Sequence, residues 1–594
     1  MVFNTLKVNK LADRKRKNKS FIPLPNKILV VGQKLVAAGF ETFLVGGGLR
    51  DLLLKRKVKD WDLTTVAKPE EILQLFKDSF YENNFGTVGI KIKKGEKTEE
   101  IVEVTTFRQE AKYGDHRHPE EIVFTDKIEV DLKRRDFTIN ALALDISSLP
   151  KENTKQKKFF ESLNQKIKAS SQQIKFEQTL SQGKKNFGPG IEGEENNLLQ
   201  MDEVPELGGG DYPVITISKI KRSDKNTLSF IKDIFGGLSD LEVGLIKACG
   251  DPDSRFQEDA LRLIRAVRFA CELGFKIEKK TALAIKKNAS LISKISAERV
   301  RDELIKIILS PWPAEGIVLL QKLDLLEKIV PEISQGIGAG QNRHHIFSVF
   351  EHLIFSLKFC FSDQLEVRLA SLLHDIAKPW VKRQIPGQEA TFYFHEVEGE
   401  KLTRRILARL RFSRSTIEET AKLVRLHMFN FDPNLHNERT ARKLLHRAGG
   451  AERMEKLLII RIADRLGSGC KKGEVFKLRK LKYLMDKSSD DPVSLKQLKI
   501  NGNDLVKELG VKPSALIGDL LQIALAVAIE NPAKNNREDL LGEINSLIQR
   551  EGGEPGFLAQ EKKRAENFLN GRKESYDIAL QNKYRVREKR NAYF

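Results

Sequence analysis

The chain has 594 residues, of which 40% are hydrophobic, and its formal net charge is +21. This length is enough for several domains with real cores, and the basic excess suits a polyanionic partner. The four cysteines form no Cys-x-x-Cys pair, which argues against a zinc ribbon or a disulfide framework and fits a reducing, cytoplasmic compartment. No apolar run indicates a signal peptide or a membrane span, so no membrane partner is expected.

The first recognisable element follows a basic, polar segment. Residues 1–25 carry no apolar pattern, and we expect a flexible arm there. Ile28 to Gly39 has the spacing of an amphipathic helix that ends at a glycine cap. The chain therefore begins its folded part at about residue 26.

A glycine-rich turn and a carboxylate pair lie together in residues 42–65. The apolar run Thr42–Val45 predicts a strand, and the glycines at 46–48 let backbone N–H groups approach a phosphate at the start of a helix. We expect a second short strand to carry Asp60 and Asp62, whose side chains would then share one face. Mg²⁺ is the usual partner of such a pair. The stretch predicts a triphosphate cradle beside a Mg²⁺ site; the alternative is a glycine turn before a solvated acidic strand.

Two further strands follow, FGTVGIKIKK (85–94) and EEIVEVTTFR (99–108). Glu103 points away from its neighbours Val102 and Val104 in this alternation. A third carboxylate facing the pair would complete a two-metal arrangement for displacement at an α-phosphate. An ordinary solvent-facing glutamate fits the pattern equally well. The polar, turn-rich residues 110–125 predict a mobile loop.

The segment DLKRRDFTINALALD (131–145) concentrates hydrogen-bonding groups before an apolar run. Arginine presents a fork suited to phosphate or sugar oxygens. A charged helix start with Asp136 near its N-terminus is the alternative. Residues 147–229 lose the pattern, because they are rich in Lys, Gln, Asn, Ser and Glu, and we expect a flexible insertion.

Residues 251–275 (DPDSRFQEDALRLIRAVRFACELGF) have the apolar spacing of a helix. Asp259 and Arg262 are three residues apart and would be neighbours on its surface. A carboxylate accepts from an exocyclic amino group, and an arginine donates to a ring nitrogen or carbonyl oxygen. Such a pair can select CTP and ATP over UTP and GTP without a template. A surface ion pair of little consequence is the alternative.

Eight of the ten histidines lie between positions 344 and 446. Imidazole and carboxylate groups are typical ligands of divalent transition metals such as Mn, Ni, Co or Fe. Any one histidine alone is more simply a core or surface residue. The order H…HD…H…H…D nevertheless strongly resembles the HD phosphohydrolase superfamily. This resemblance implies six metal ligands: His352, His374, Asp375, His395, His427 and Asp464. The other four, His344, His345, His436 and His446, are left as structural or RNA-facing.

The stretches quoted above resemble the nucleotidyltransferase superfamily that includes tRNA nucleotidyltransferases (CCA-adding enzymes) and bacterial poly(A) polymerases. The strings LVGGGLRDLLLKRKVKDWDLTT, RRDFTINALA and EDALRLIRAVRFA carry this resemblance, and residues 498–544 resemble the family's tRNA-gripping tail. It implies catalytic carboxylates at three positions: Asp60, Asp62 and Glu103. It also implies nucleotide contacts at ten positions: Gly46, Gly47, Arg50, Arg135, Asp136, Asn140, Asp259, Arg262, Arg265 and Arg268.

The resemblance implies an α+β fold, with a small mixed sheet in a nucleotidyltransferase head and an all-helical neck, HD body and tail. The expected domains are a basic arm, the head, the insertion, the neck, the HD domain, a tRNA-binding tail and a charged extension that forms a loose helix or a tail, at residues 1–25, 26–146, 147–229, 230–330, 331–480, 481–550 and 551–594. No obligate protein partner is evident.

The resemblance implies template-independent addition of C, C and A to tRNA 3′ ends from CTP and ATP, with Mg²⁺ in the head and an added HD phosphohydrolase activity. A poly(A) polymerase, or an enzyme that adds only CC or only A, is the alternative within the same class. From other classes, the chain could be an HD phosphohydrolase with a vestigial head, or an RNA-binding protein without catalysis.

Overall fold

The computed structural model describes most of the chain outside its N-terminus and the insertion. The described residues are 24–54, 56–58, 60–83, 86–94, 97–113, 119–149, 190–191, 230–341, 347–384, 386, 389–470, 473–489, 495, 498–553 and 556–586. They fall into two compact units, within Met1–Val424 plus Gly467–Lys471 and within Arg425–Leu466 plus Lys472–Phe594. The expected arm (1–25) and insertion (147–229) lie almost entirely outside the described residues.

The head contains a mixed sheet, to which seven strands contribute among the described residues. The strands of the chain are β1 Thr42–Val45, β2 Asp62–Thr65, β3 Ser79–Asn83, β4 Thr87–Lys94, β5 Lys97–Thr106, β6 Arg108–Tyr113, β7 Pro119–Phe124, β8 Leu142–Asp145, β9 Gly190–Ile191, β10 Ile231–Asp233, β11 Leu245–Ile246 and β12 Lys276–Ile277. The sheet order is β10-β8-β1-β2-β5-β4-β3, and its β2–β5 pair is parallel while the other pairs are antiparallel. The mixed sheet of the predicted head is confirmed.

Helices of the head and neck cover and extend this sheet. They are Asn26–Ala37, Gly46–Leu53, Pro69–Leu75, Ile128–Lys133, Gly237–Val243, Pro252–Glu258, Leu261–Leu273, Lys279–Lys287, Ala297–Ile308, Pro313–Lys322, Leu326–Ile329 and Pro331–Ser334. The first helix buries Ile28, Val31 and Leu35 and ends before Gly39, whose φ of +89° suits glycine. The predicted amphipathic helix and its glycine cap are confirmed.

The HD region of the first unit is helical. Its helices are Val349–Lys358, Leu365–Leu373, Lys378–Val381, His395–Arg409 and Arg414–Leu426. The helix Val349–Lys358 begins with a capping box, in which Ser348 and Glu351 bond each other's backbone N–H groups. Leu365–Leu373 is apolar and mostly buried, and its C-cap is His374. His374 and Asp375 therefore stand at the end of an apolar helix, as the apolar run before them in the sequence indicates.

The second unit consists of helices among its described residues: Glu438–Ala448, Ala451–Gly467, Phe476–Ser489, Gly502–Leu509, Ala515–Glu530, Arg537–Gly553 and Phe557–Tyr584. The last of these bears out the helix of the two alternatives expected from about residue 551, a loose helix or a tail, but the helix is packed and not loose. Leu569 and Ala565 pack into a buried cluster with Ile523 and Leu525. Apolar contacts thus order a segment whose high charge alone indicates a solvated tail.

Polar contacts also fasten this last helix. The hydroxyl of Tyr483 donates to Asp577 at 2.5 Å, and the hydroxyl of Tyr584 donates to Asp486 at 2.6 Å. These contacts join the helix Phe476–Ser489 to the second half of the C-terminal helix. No helix in the described parts of the chain is both long and apolar enough to cross a membrane.

Candidate active site and metal cluster

The glycine turn brings β1 against the acidic strand. Gly46 has a φ of +70°, and a Cβ there would lie 3.0 Å from Nη1 of Arg135 and 3.1 Å from Oδ2 of Asp62. A Cβ on Gly48 would lie 2.8 Å from the backbone oxygen of Asp60. Glycine is therefore required because neighbouring groups approach the backbone itself. At Gly46 and Gly48 these neighbours belong to the chain itself, and the approach of a phosphate to the glycine turn stays a prediction.

The three predicted carboxylates are placed by strand register. Asp62 is the Cα partner of Glu103 in the parallel β2–β5 pair, and β1 holds Asp62 from its other side through Val45. The strand begins at Asp62, so the expectation that Asp60 also lies on it is wrong. The backbone of Asp60 is instead held by its close approach to Gly48.

The electrostatics of Asp62 fit a cation. Burial raises the pKa of its carboxyl above the ordinary value; the nearby charge of Arg135 lowers this pKa, and that of Asp60 raises it. Asp60 and Glu103 are exposed. One half-buried and two exposed carboxylates are a donor set suited to Mg²⁺, which prefers oxygen ligands and keeps water or substrate oxygens in its shell.

The RRD segment, residues 134–136, links the head to the neck. Nε and Nη2 of Arg265 donate to Oδ2 of Asp136 at 2.9 and 2.5 Å, and Nδ2 of Asn140 donates to Oδ1 of Asp136 at 3.0 Å. Burial would raise the pKa of Asp136, but the charge of Arg265 and these hydrogen bonds hold it well below its usual range. Arg50 donates to Oδ1 of Asn140 at 2.8 Å. Four predicted nucleotide-contacting residues are therefore joined in one buried network.

Arg135 belongs to a second ion pair at the same segment. Its Nη2 atom lies 3.5 Å from Oδ2 of the fully buried Asp131, which also accepts two hydrogen bonds from Arg134. The pKa of Asp131 is lowered because these arginine charges outweigh the effect of burial. Asp131 was not singled out in the sequence, although its position three and four residues before two arginines is a detectable signal.

The predicted base-reading helix is broken. Residues 252–258 and 261–273 form separate helices, and Asp259 between them has extended backbone angles of −136° and 102°. The expectation that Asp259 and Arg262 share one helical surface is therefore wrong. Oδ1 of Asp259 accepts from the N–H of Leu261, and Oδ2 lies 3.4 Å from Nη2 of Arg299. The carboxylate thus caps the second helix, and this local bond competes with continuous helix.

Arg262 is buried and engaged. Nη1 donates to Oε2 of Glu258 at 2.9 Å and to the carbonyl of Arg255 at 3.1 Å, while Nη2 donates to the carbonyl of Arg134 at 2.9 Å. Glu258 was missed in the sequence, where its position four residues before Arg262 was the available signal. The contact with Arg134 ties the base-reading segment directly to the head.

Arg268 is held by a carboxylate of the helix Ala297–Ile308. Its Nη1 donates to the buried Glu303 at 2.9 Å, and its guanidinium lies 4.0 Å from the centre of the Phe269 ring. Arg50 and Arg265 approach the same ring at 5.0 and 5.2 Å. Three of the predicted nucleotide-contacting arginines therefore surround one aromatic side chain, which fixes their positions by cation–π attraction.

Four of the six predicted HD ligands come together in the first unit. Nε2 of His352 lies 3.0 Å from Nε2 of His374 and 3.1 Å from Oδ2 of Asp375. Nε2 of His374 lies 3.3 Å from Oδ2 of Asp375, and Nε2 of His395 lies 3.2 Å from Oδ1. All four residues are buried.

The hydrogen bonds of two histidines fit metal ligation. Nδ1 of His374 lies 3.0 Å from the carbonyl of Ser371, and Nδ1 of His395 lies 2.7 Å from the carbonyl of Phe392. Because Nδ1 donates in both rings, each neutral ring turns the lone pair of Nε2 toward Asp375. Histidines that ligate metals commonly have this arrangement. A cation or an added proton would hold these acceptors together.

Lys378 balances the charge of this cluster. Its ammonium pairs with Oδ2 of Asp375 at 2.6 Å and donates to Oε1 of Gln341 at 2.6 Å. Burial would raise the pKa of Asp375, but the charge of Lys378 lowers it, and this pKa lies well below its usual range. Lys378 was missed in the sequence, although it follows Asp375 by three residues.

The other two predicted HD ligands belong to the second unit. His427 is buried and follows the helix Arg414–Leu426, and Asp464 lies on the helix Ala451–Gly467, where it accepts from Arg461 at 2.9 Å. Their ligation stays a prediction. His344 and His345 lie outside the described residues.

The loop predicted at 110–125 is corrected, because β6 and β7 pair as antiparallel strands on either side of the undescribed residues 114–118.

Comparison with known families agrees with this geometry. A poly(A) polymerase head domain matches residues 42–158, a probable RNA and SrmB-binding site of polymerase A matches 274–337, and an HD domain matches 344–468. The chain thus contains one region similar to the head domain of poly(A) polymerases, one similar to their probable RNA-binding site and one similar to an HD domain.

Curated proteins that are similar to the chain include CCA-adding enzymes. The enzyme of Lactobacillus helveticus is 34% identical over 58% of this chain and 62% of its own length, so that alignment spans less than two thirds of the relative. The enzyme of Ligilactobacillus salivarius is 29% identical over 88% of this chain and 96% of its own length.

Solved structures of CCA-adding enzymes are also similar to the chain. The Bacillus stearothermophilus CCA-adding enzyme in complex with CTP is 21% identical with a TM-score of 0.48, covering 89% of this chain and 98% of that one. The Thermotoga maritima enzyme complexed with tRNA is 18% identical with a TM-score of 0.42, covering 88% and 95%.

Proposed function

We propose that the chain adds C, C and A to the 3′ ends of tRNA, using CTP and ATP without a nucleic-acid template. The observation that carries the proposal is the register of Asp62 beside Glu103, next to the glycine turn and Asp60. The similarity of the chain to CCA-adding enzymes over most of its length supports the choice of substrate. Use of ATP, Mg²⁺ as the ion, a cytoplasmic location and action without an obligate protein partner are parts of this proposal.

The carboxylates of Asp60, Asp62 and Glu103 would hold Mg²⁺. When bound, the ion supplies activation of the attacking hydroxyl and neutralisation of the leaving group. The 3′-oxygen of the tRNA forms a bond to the α-phosphorus of the nucleotide, the bond from that phosphorus to the bridging oxygen breaks, and pyrophosphate leaves. Gly47 and Arg50 would position the triphosphate, and Arg135 beside Gly46 would contact its negative charge.

Asp259 and Arg262 would read the base. The carboxylate would accept from the exocyclic amino group that cytosine and adenine share, and the guanidinium would donate to the adjacent ring nitrogen. Arg262 already bonds Glu258 and two backbone carbonyls, so its plane is fixed before a nucleotide arrives. Preorganised donors discriminate well because a mismatched base leaves a buried polar group without a partner.

The test uses purified protein, Mg²⁺ and tRNA transcripts that end before CCA, after C and after CC. Each transcript is offered CTP, ATP, UTP and GTP singly and CTP with ATP, and the products are sequenced. We expect ends of CCA with no further addition and no use of UTP or GTP. Stopping at CC would reassign the chain to CC addition, long A tails would make it a poly(A) polymerase, and no incorporation would overturn the transferase proposal.

We infer a second activity, metal-dependent phosphohydrolysis, from the buried cluster of His352, His374, Asp375 and His395. The lone pairs that face Asp375 form the donor set of a divalent transition metal. When bound, such a metal supplies a hydroxide nucleophile at neutral pH. His427 and Asp464 would complete the set of ligands.

The test of this second activity loads the full chain with Mn²⁺, Ni²⁺, Co²⁺ or Fe²⁺ and offers phosphomonoesters and 2′,3′-cyclic nucleotides. We expect phosphate release or ring opening with at least one metal and its loss in Asp375→Asn. An intact activity in that variant would refute the assignment.

A further inference from the structure

Three large aromatic side chains are exposed beside the HD cluster. The exposed fractions are 52% for Trp380, 73% for Tyr393 and 71% for Phe394. We call these three residues the aromatic platform. Aromatic rings of this size usually gain stability from burial, so their common exposure within fifteen residues of sequence calls for a ligand.

The backbone brings the two parts of the platform side by side. Trp380 lies on the short helix Lys378–Val381, and the other two residues directly precede the helix His395–Arg409. Between them, the N–H of Arg383 donates to the carbonyl of Thr391 at 3.0 Å, and the N–H of Thr391 donates back at 2.9 Å. This antiparallel bridge closes the connecting loop and sets the two aromatic segments next to each other.

Phe394 adopts an unfavourable backbone conformation. Its φ and ψ are 63° and 16°, in the left-handed region that bulky residues rarely adopt. Core packing cannot explain why phenylalanine stands here, because most of the side chain faces solvent. Strain of this kind is commonly kept at functional sites, and glycine would adopt the same backbone without cost.

The platform is continuous with the ligand cluster. Phe394 immediately precedes His395, and the carbonyl of Phe392 accepts from Nδ1 of that histidine. The ring of Phe392 lies 5.6 Å from Nζ of Lys378, which pairs with Asp375. A molecule bound on the platform would therefore have its neighbouring phosphate close to the proposed metal ligands.

The charges around the platform favour a polyanion over an apolar protein segment. Lys382 and Arg383 are both exposed on the connecting loop, and Lys382 is held there by a 2.8 Å bond from Nζ to the carbonyl of Gly340. The acidic side chains nearby in sequence are Glu389, Glu396, Glu398 and Glu400, of which the last two pair with Lys401 and Arg404. Aromatic faces flanked by basic groups stack unpaired bases with little sequence preference.

We propose that Trp380, Tyr393 and Phe394 form a stacking site for the unpaired bases at the end of a single-stranded RNA, which they deliver to the HD cluster. This inference rests on the proposed phosphohydrolase activity. It adds that recognition comes from the bases, so that a phosphoester without a base is a poor substrate.

Photochemical crosslinking tests the site without any turnover. The probe is a trinucleotide that carries 5-iodouridine and a 3′-terminal phosphate, and it is irradiated with the full-length protein. We expect crosslinks at the platform that unlabelled trinucleotide prevents and glycerol 2-phosphate does not. Crosslinks confined to other parts of the chain would overturn the proposal.

Two variants separate binding from folding. Phe394→Gly removes the ring and relieves the left-handed strain, so we expect an unchanged or higher melting temperature together with weaker crosslinking at Trp380. Tyr393→Ala should raise the KM for a nucleoside 3′-phosphate about tenfold, while the KM for glycerol 2-phosphate stays the same. Phe361→Ala is the matched control, because Phe361 is 56% exposed and lies outside the platform.

The outcomes separate this proposal from the activity on which it rests. Platform crosslinks without hydrolysis of any phosphoester would refute the phosphohydrolase and keep the stacking site. Hydrolysis that is equally fast with and without a base, and unchanged in Tyr393→Ala, would refute the stacking site and keep the phosphohydrolase.

Discussion

The first unit contains two carboxylate-centred sites that differ in burial. In the head, Asp60 and Glu103 are exposed and Asp62 is half-buried, whereas in the HD cluster Asp375 and its three histidines are buried. Strand register and a glycine turn position the head carboxylates. Helix ends and hydrogen bonds between side chains and backbone position the HD cluster.

The difference shows how each site treats charge. The HD cluster compensates its own carboxylate through the ammonium of Lys378 at 2.6 Å. In the head, the charge of Asp60 raises the pKa of Asp62, although Arg135 opposes it. An open site of this kind is suited to an ion that arrives with the nucleotide, and a closed one to an ion that stays bound.

Removing one carboxylate from each site should show the difference between the two sites most clearly. Asp62→Asn should lower the rate of nucleotide addition about a thousandfold, because several kcal/mol of charge stabilisation is lost, and leave the melting temperature unchanged. Asp375→Asn should destabilise the fold by about 3–5 kcal/mol, since Lys378 loses a buried partner. Nucleotide incorporation assays and urea denaturation measure the two effects.

Glu70→Gln is the matched control in the head, because Glu70 is exposed on the helix Pro69–Leu75 and away from the predicted site residues. It should change neither rate nor stability. If Asp62→Asn destabilised the protein as much as Asp375→Asn does, the contrast between an open and a closed site would be wrong.

The ion pair between Asp136 and Arg265 should show an intermediate effect. Asp136→Asn should destabilise the fold by about 2 kcal/mol at pH 7, less than a fully buried pair because Arg265 is partly exposed. The folded-state pKa of Asp136 is lowered, so the stabilising effect of its charge is complete above the unfolded value of about 3.9 and is lost as the pH falls further. Urea denaturation of both proteins from pH 7 to pH 2 should therefore show a gap that narrows only below about pH 4. A constant gap would contradict this assignment.

The smallest expected effect concerns Arg56, which lies four residues before Asp60. Its Nη1 donates to the carbonyl of Glu272 at 2.7 Å, in the last turn of the helix Leu261–Leu273. A cation is favourable at this helix end. Arg56→Ala should destabilise the protein by about 1 kcal/mol and raise the KM for CTP severalfold with little change in kcat, because the acidic segment and the base-reading helix lose a common anchor.

Steady-state kinetics with CTP and with ATP measure this split between KM and kcat. Lys57→Ala is the matched control, since Lys57 is exposed and adjacent in sequence. An equal effect of both variants would show that charge, and not the bond to the helix end, is responsible.

Local patterns predicted much of the head and HD region. The helix before Gly39, the strand Thr42–Val45 and the end of an apolar helix at His374 all follow from signals within a few residues. Such signals are reliable because capping, glycine conformations and apolar spacing act over one or two turns. The α+β class followed from the same signals together with the family resemblance.

Other predictions failed where tertiary contacts outweigh local preference. Apolar spacing predicted one helix over 251–275, but Asp259 ends the first helix and caps the second. The charged C-terminal segment indicated a loose helix or tail, but its helix buries Leu569 and Tyr584. The partners that order this helix lie in other elements, whereas Asp259 is held both by its local bond to Leu261 and by Arg299.

The sequence by itself determined the kinds of groups in each site: carboxylates after a glycine turn, arginines beside Asp136, and histidines around an HD pair. Only the tertiary structure decided which of them meet. The strand register pairs Asp62 with Glu103, which are 41 residues apart in the sequence. Thr64 and Thr105 on the same two strands have the same separation and are also paired. Such pairings depend on how the whole sheet and helices pack, and no local signal in the sequence specifies them.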